Sequence, residues 1–233
     1  MKFILDCTND WATMPKKKIL LKSIGWFFAM FVLSAIIIVV VTNIYKSMGI
    51  DPSQLTKFGG DMSNHLDKPL FQSVLLFLVI APLVEEIIFR LELSFKRQTA
   101  ALWVGLLPVA ITGYLLQLYD NWVLMAGMVV LGAILYWLVV RYTTDEQWAG
   151  WRRRYLRLAM WISAIAFALI HLKAFTVLTW GVLPYCFAIC LRPGLVGAVI
   201  TYARVNLGFW WGVLFHVLNN IPAVLMLLTM QAV

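Results

Sequence analysis

The sequence predicts an all-α fold: a polytopic transmembrane helical bundle with seven to eight membrane-spanning helices. Of its 233 residues, 62% are apolar and 13% are charged, and the mean hydropathy is +0.85. A soluble domain has about half apolar and about a quarter charged residues. Disordered chains are poor in apolar residues. The composition therefore excludes a disordered chain, and it excludes a soluble enzyme unless most of its surface is covered.

Apolar segments of about 20 residues, the length that crosses a bilayer, recur along the chain. Six are clear in the sequence: Ser23 to Ile44, Leu70 to Arg90, Ala101 to Tyr119, Trp122 to Val140, Tyr155 to Leu172, and Phe209 to Met230. A polar stretch from Lys46 to Lys68 predicts an exposed loop.

The stretch from Ala174 to Arg204 is harder to assign, because it is long for one straight crossing and short for two. Pro184 and the pair Arg192-Pro193 are predicted to break it, since proline removes a backbone donor. One crossing with a broken or re-entrant first part is favoured, followed by a turn at Val205 to Gly208. This gives seven crossings, with eight as the alternative.

The basic residues predict the orientation of the chain. They cluster at the amino end, after the second span at Lys96 and Arg97, and in a linker from Arg141 to Arg157. If the spans alternate, all three clusters lie on one side, so the amino terminus is predicted to be cytoplasmic, in a bacterial-type inner membrane. This bias also explains the net charge of +8 without nucleic-acid binding. A single domain is expected over residues 1–233.

Three groups of polar residues interrupt the apolar spans. They are Glu85-Glu86 with Arg90, His171, and His216 with Asn220. An ionisable side chain inside a span costs about 3 kcal/mol, so such residues are candidates for function. Each group alone is explained equally well by a structural role, as a hydrogen bond or an ion pair within one helix or between two helices. Three groups on three spans together favour a functional site.

Helical geometry predicts different roles for the two glutamates. Glu86 and Arg90 are four residues apart and share a helix face, so they are expected to pair. Glu85 lies about 140° around the helix from Arg90, which leaves its carboxylate free to face another groove. His216 and Asn220 are also four residues apart and share a face. Glu85 is therefore the candidate reactive carboxylate, and Glu86 with Arg90 the supporting pair.

In their order along the chain these motifs resemble the CAAX prenyl protease type II and bacteriocin-processing (CPBP) family of intramembrane endopeptidases. The resemblance rests on Glu85-Glu86-x-x-x-Arg90, Phe167-x-x-x-His171 and His216-x-x-x-Asn220, within residues 70–220. The stretch from Tyr202 to Gly208 also resembles the turn before the family's last motif. Two features depart from the pattern: Leu91 follows Arg90 where many members have glycine, and an extra helical hairpin occupies residues 101–140.

The resemblance implies glutamate-dependent hydrolysis of a peptide bond in a membrane-associated protein or peptide. Glu85 would be the general base, assisted by His171, and His216 and Asn220 would stabilise the oxyanion, with Asn219 as second choice for the donor. Burial of a carboxylate among apolar helices raises its affinity for protons, which agrees with the base role. Glu86 and Arg90 would hold the helix in place. No cofactor is expected.

Zinc is an alternative that uses the same residues, with Glu85, His171 and His216 as ligands and water as the fourth. Their spacing does not match His-Glu-x-x-His, so the metal-free mechanism is favoured. Residue counts place Glu85 about 7 to 8 Å and His216 about 10 to 12 Å from the cytoplasmic face, but His171 about 21 Å from it. A cavity in the cytoplasmic half is expected.

A non-catalytic function is the main alternative. Members of the family are associated with bacteriocin immunity, so an immunity or scaffold protein that binds a membrane-protein partner is possible. The partner would contact the hairpin of residues 101–140 or the loop from Lys46 to Lys68. An ion or proton pathway is less favoured, because the sequence lacks a chain of titratable residues that reaches both faces.

Overall fold

The computed structural model describes residues 14–55, 69–175 and 179–231, and over these ranges it contains helices and no strand. The prediction of an all-α protein is confirmed there. The α-helices are α1 (Lys16–Ser47), α2 (Leu70–Leu75), α3 (Ala81–Arg90), α4 (Arg97–Ala110), α5 (Trp122–Tyr142), α6 (Asp145–Ile170), α7 (Leu183–Leu207) and α8 (Phe209–Gln231). Lys2 and residues 56–68 of the predicted loop lie outside the described ranges.

Two π turns join or extend the shorter helices. The turn Leu76–Ile80 connects α2 to α3, so the backbone is helical without a gap from residue 70 to residue 90. The turn Ile111–Leu115 continues α4. Short 3₁₀ turns lie at Pro52–Leu55, Leu91–Ser94 and His171–Ala174. The described chain thus forms seven continuous helical stretches.

Five helices of the described chain are long and apolar enough to cross a membrane, as expected for an integral membrane protein. By residue range they are Lys16–Ser47, Trp122–Tyr142, Asp145–Ala174, Leu183–Leu207 and Phe209–Thr229. The stretches at 70–90 and 97–115 also match predicted spans, but a π turn interrupts the first and forms the end of the second.

The predicted break at Arg192-Pro193 is wrong. Helix α7 passes through Pro193 without interruption, and Pro184 lies in its first turn. Proline in a first turn removes no helical hydrogen bond, and an internal proline is tolerated where neighbouring helices bury it, as Pro193 is buried. The predicted four-residue turn at Val205 to Gly208 is also wrong, because α7 continues to Leu207 and only Gly208, with φ of +116°, separates it from α8.

The predicted basic linker from Arg141 to Arg157 is wrong as well. Helix α5 ends at Tyr142 and α6 begins at Asp145, so most of that stretch is helical. A capping box explains the early start: the Gln147 N–H donates to Thr144 Oγ1 at 3.2 Å, and the Thr144 N–H donates to Gln147 Oε1 at 2.8 Å. Asp145 and Glu146 in the first turn add favourable charge at the helix amino end.

The chain divides into two compact units, one of residues 1–82 with 161–233 and the other of residues 83–160. The first contains most of the buried residues, and α7 forms its core, packed between α1 and α8. The aromatic pair Phe27 and Phe215 joins α1 to α8, with ring centroids 5.3 Å apart. Near one end of the α1–α7 pair, the Lys22 ammonium lies 5.3 Å from the centre of the Tyr202 ring.

The second unit contains the predicted hairpin, which is confirmed as helices α4 and α5. Gly105 and Gly132 allow the two helices to touch: a Cβ atom built on Gly132 would lie 2.1 Å from the Gly105 carbonyl oxygen. Close backbone approach at small residues is the usual way in which membrane helices pack. In the same unit, Arg152 donates to the carbonyls of Leu93 and Ser94 at 3.2 and 2.9 Å.

Candidate functional site

The predicted ion pair between Glu86 and Arg90 is confirmed. Both side chains are fully buried in α3, and Arg90 Nη1 donates to Glu86 Oε1. A buried pair is much costlier to break than to keep, because the remaining charge loses its partner. The pair therefore fixes this part of α3.

Glu85, the candidate base, is half-buried and accepts a hydrogen bond on Oε1 from the Tyr114 hydroxyl. Tyr114 belongs to the π turn Ile111–Leu115, at the end of the first helix of the hairpin. The sequence analysis did not predict Tyr114. A tyrosine in an apolar span needs a polar partner for its hydroxyl, and this requirement is the signal that could have drawn attention to it.

Asn220 lies on α8 and donates from Nδ2 to the Phe77 carbonyl at 3.0 Å. The π turn makes this carbonyl accessible. The Ala81 N–H donates to the Leu76 carbonyl, five residues back, so the next donor in that register would be residue 82. Residue 82 is proline and has no N–H. The Asn220 amide thus bonds to the carbonyl that Pro82 cannot reach.

His171 follows the last residue of α6 and is half-buried. Its Nδ1 lies 2.8 Å from the Phe167 carbonyl oxygen. Because a carbonyl oxygen only accepts, Nδ1 carries the hydrogen in this contact. In the neutral ring Nε2 then has the lone pair, so Nε2 is the nitrogen that can take a proton.

The Phe167 side chain contacts both predicted histidines. Its buried ring lies edge-on to His171, with centroids 5.1 Å apart, and edge-on to His216, with centroids 5.3 Å apart. His216 is itself buried on α8. Residue counts along the helices predicted different membrane depths for the two imidazoles. In the structure both imidazoles contact the same phenyl ring.

Asn219, the second choice for the oxyanion donor, is hydrogen-bonded to its neighbour. Its Nδ2 lies 3.3 Å from Asn220 Oδ1, and its own Oδ1 is buried with no hydrogen-bond partner among the described residues. This contact orients the Asn220 amide from its oxygen side, while the Phe77 carbonyl orients it from the nitrogen side. Asn219 therefore supports Asn220.

The six predicted site residues fall into two sets, one in each compact unit. Glu85, Glu86 and Arg90 belong to residues 83–160, and His171, His216 and Asn220 belong to the other unit. Within the first set the structure pairs Glu86 with Arg90 and adds Tyr114 to Glu85. Within the second set it brings His171 and His216 to one ring.

A metal site needs several ligating side chains close together. In residues 14–55, 69–175 and 179–231, the structure has no group of three or more His, Cys, Asp or Glu side chains that could hold a metal ion. The zinc alternative with Glu85, His171 and His216 stays a prediction.

Comparison of the chain with family models, with curated proteins and with solved structures gave no match.

Proposed function

We propose that this protein is an intramembrane endopeptidase of the CPBP type, which hydrolyses a peptide bond of a membrane-associated protein or peptide. The observation that carries the proposal is the Phe167 ring between His171 and His216. It joins two of the three motifs at one place among apolar helices. Histidines held in this way are typical of sites that move protons.

In the proposed reaction Glu85 removes a proton from a water molecule, and the water oxygen attacks the carbonyl carbon of the scissile peptide. The carbonyl π electrons move to oxygen and form a tetrahedral oxyanion. When the C–N bond breaks, the leaving nitrogen takes a proton from the protonated carboxyl of Glu85. The products are a new carboxyl terminus and a new amino terminus.

His171 assists Glu85 in this scheme. Its Nδ1–H donates to the Phe167 carbonyl, and in the scheme Nε2 accepts a proton from water. Both groups must act on the same water. The proposal therefore predicts that the loss of Glu85 and the loss of His171 are not additive in rate.

His216 and Asn220 are proposed to stabilise the oxyanion. An amide nitrogen has two hydrogens, and the Phe77 carbonyl accepts one of those of Asn220. The second hydrogen is the one proposed to reach the oxyanion. A donor whose position is already set loses little reorganisation energy during the reaction, which is why such donors accelerate acyl transfer.

For the topology we propose seven crossings, a cytoplasmic amino terminus and a bacterial-type inner membrane. The seven continuous helical stretches support the count, if 70–90 and 97–115 are included with the five long apolar helices. The basic residues near Lys16, Lys96 and Arg152 support the orientation.

The experiment that tests the function compares new peptide termini in membranes from cells that produce the wild type or Glu85→Gln. This substitution keeps the shape of the side chain and removes the base. We expect termini that are present with the wild type and missing with Glu85→Gln. The matched control is Glu146→Gln, the same change at an exposed glutamate on α6, which should leave all termini in place.

Identical termini from wild type and Glu85→Gln, at equal abundance and stability, would contradict the protease proposal. That result would favour the second candidate, a non-catalytic immunity or scaffold protein. The observation behind this candidate is α5, where Gly132 is the one residue of the helix that is buried and Trp122 and Trp137 are 77% and 55% exposed. A membrane-protein partner would then bind α5, and its binding would survive Glu85→Gln.

A further inference from the structure

Tyr114 stands out because it contacts the candidate base from a different helical stretch. Its hydroxyl donates to Glu85 Oε1, and both residues lie in the unit of residues 83–160. We infer that Tyr114 is a positioning residue, which holds the Glu85 carboxylate in the orientation that a general base requires. The inference rests on the proposed function, because it concerns the same site.

Glu85 has a hydrogen-bond partner on a second helical stretch. The neighbouring Glu86 is held by Arg90, one turn further along α3. Successive residues of a helix are about 100° apart, so Arg90 cannot hold both carboxylates on one face. A glutamate side chain has three rotatable bonds, and a base that rotates freely is seldom aligned with its water. The hydrogen bond from Tyr114 provides such a restraint.

The π turn presents the tyrosine. In the turn Ile111–Leu115 the Leu116 N–H donates to the Ile111 carbonyl at 2.9 Å, one residue further back than in an α-helix. Opposite the turn lies Met125 of α5, whose Cε atom would be 3.3 Å from a Cβ atom on Gly113. The turn is therefore packed against the second helix of the hairpin. π turns inside α-helices often occur at functional sites.

The chemistry of the contact suits a positioning role. An ionised carboxylate can accept hydrogen bonds at both oxygens, and the Tyr114 hydroxyl donates one hydrogen bond to Oε1. The hydrogen bond to Oε1 restricts the rotation of the carboxylate, which receives the proton from water in the proposed reaction.

The first part of the test measures catalysis with Tyr114→Phe, which removes one oxygen atom and keeps the ring. The rate at which the wild-type-dependent termini appear in membranes should fall about tenfold, which corresponds to ~1.4 kcal/mol. Tyr119→Phe is the matched control, because Tyr119 is close in the sequence and 65% exposed, and its rate should not change. Glu85→Gln with Tyr114→Phe should be no slower than Glu85→Gln alone.

The second part of the test needs no activity. In the infrared spectrum of the full-length protein in lipid, the phenol C–O band of Tyr114 is identified by its loss in Tyr114→Phe. Replacement of the acceptor by Glu85→Leu should shift this band, and Glu146→Gln should not. A structural role of the ring alone would leave the band unmoved in Glu85→Leu.

The outcomes separate the two proposals. If Glu85→Leu does not shift the band, or if Tyr114→Phe has the wild-type rate, the inference on Tyr114 is overturned. The protease proposal is then still supported if the termini are missing with Glu85→Gln. If the band shifts but Glu85→Gln leaves every terminus in place, the protease proposal fails, and the positioning role in catalysis fails with it. A shifted band together with the tenfold slower rate would support both.

Discussion

Asn220 on α8 donates a hydrogen bond to the Phe77 carbonyl at 3.0 Å, at the point where Pro82 cannot supply a backbone donor. This contact connects a predicted oxyanion donor to a π turn. It also gives Asn220 a structural role that can be measured independently of any reaction.

Asn220→Ala should lower the free energy of unfolding by about 1 kcal/mol, because the Phe77 carbonyl loses a donor. In the background Pro82→Ala the loss should be smaller, since an alanine N–H at position 82 can donate in the π register. Thermal unfolding of the four proteins in the same detergent gives the coupling directly. Equal losses in both backgrounds would mean that the two residues do not share this carbonyl.

The buried ion pair on α3 predicts an asymmetric response to mutation. Arg90→Met should destabilise the protein by about 3 to 5 kcal/mol, because it leaves Glu86 buried without its charged partner. Adding Glu86→Leu to Arg90→Met should recover much of the loss, since no charge then remains. Chemical unfolding in detergent measures both values. A double variant that is less stable than Arg90→Met would refute this reading of the pair.

Glycine pairs predict where the hairpin tolerates a methyl group. Gly132→Ala should destabilise the protein by about 1 to 3 kcal/mol, because the new Cβ would lie 2.1 Å from the Gly105 carbonyl oxygen. For Gly127→Ala on the same helix, no described atom beyond the neighbouring backbone of that helix lies within 4 Å of the new Cβ, so this change should be neutral or slightly stabilising. The unfolding temperature should be lower for Gly132→Ala than for Gly127→Ala. Equal temperatures would show that the helices do not touch at Gly105.

Cysteine labelling tests the orientation across α5. This helix has 21 residues, which span about 32 Å, so its two ends should lie on opposite sides of the membrane. In a chain whose native cysteines are replaced by alanine, Thr144→Cys should react only from the cytoplasmic side. Asp120→Cys should react only from the outside. The reverse pattern would invert the proposed topology, and labelling of both from one side would exclude α5 as a crossing.

Removal of metal ions tests the zinc alternative. If Glu85 and His171 activate water without a metal, membranes treated with a strong chelator should keep producing the wild-type-dependent termini. If Glu85, His171 and His216 bind zinc, the activity should disappear and return with added Zn²⁺. Glu85→Gln membranes serve as the background in both conditions. Loss and recovery would replace the metal-free mechanism with the zinc mechanism.

Helical periodicity was sufficient to predict some of these features. The pairing of Glu86 with Arg90 follows from their spacing, because residues four apart in a helix are always neighbours. The hairpin of residues 101–140 was predicted because two apolar segments are joined by a very short polar link. The end of the last span at Met230 differs by one residue from the end of α8. Local rules of this kind need no knowledge of the tertiary structure.

Other features depend on contacts that the sequence pattern does not contain. The π turn Leu76–Ile80 is followed by Pro82, and the π turn Ile111–Leu115 comes after Pro108, but a hydropathy pattern does not reveal either turn. The contact of Tyr114 with Glu85 joins residues that are 29 positions apart. The basic stretch after Tyr142 looked like a linker by charge, although Thr144 and Gln147 already form a capping box. In this stretch the capping box is a local signal for the start of a helix, and the number of basic residues does not determine the secondary structure.

Gly208 is the single residue that connects α7 to α8, so the number of residues at this point determines how the two helices are oriented. With a single residue as the joint, α7 and α8 are locked in phase. One inserted residue would turn α8 by about 100° about its axis or push it by about 1.5 Å, and His216 would leave the Phe167 ring. We therefore expect the protein to tolerate substitutions next to Gly208 but not the insertion of a residue there.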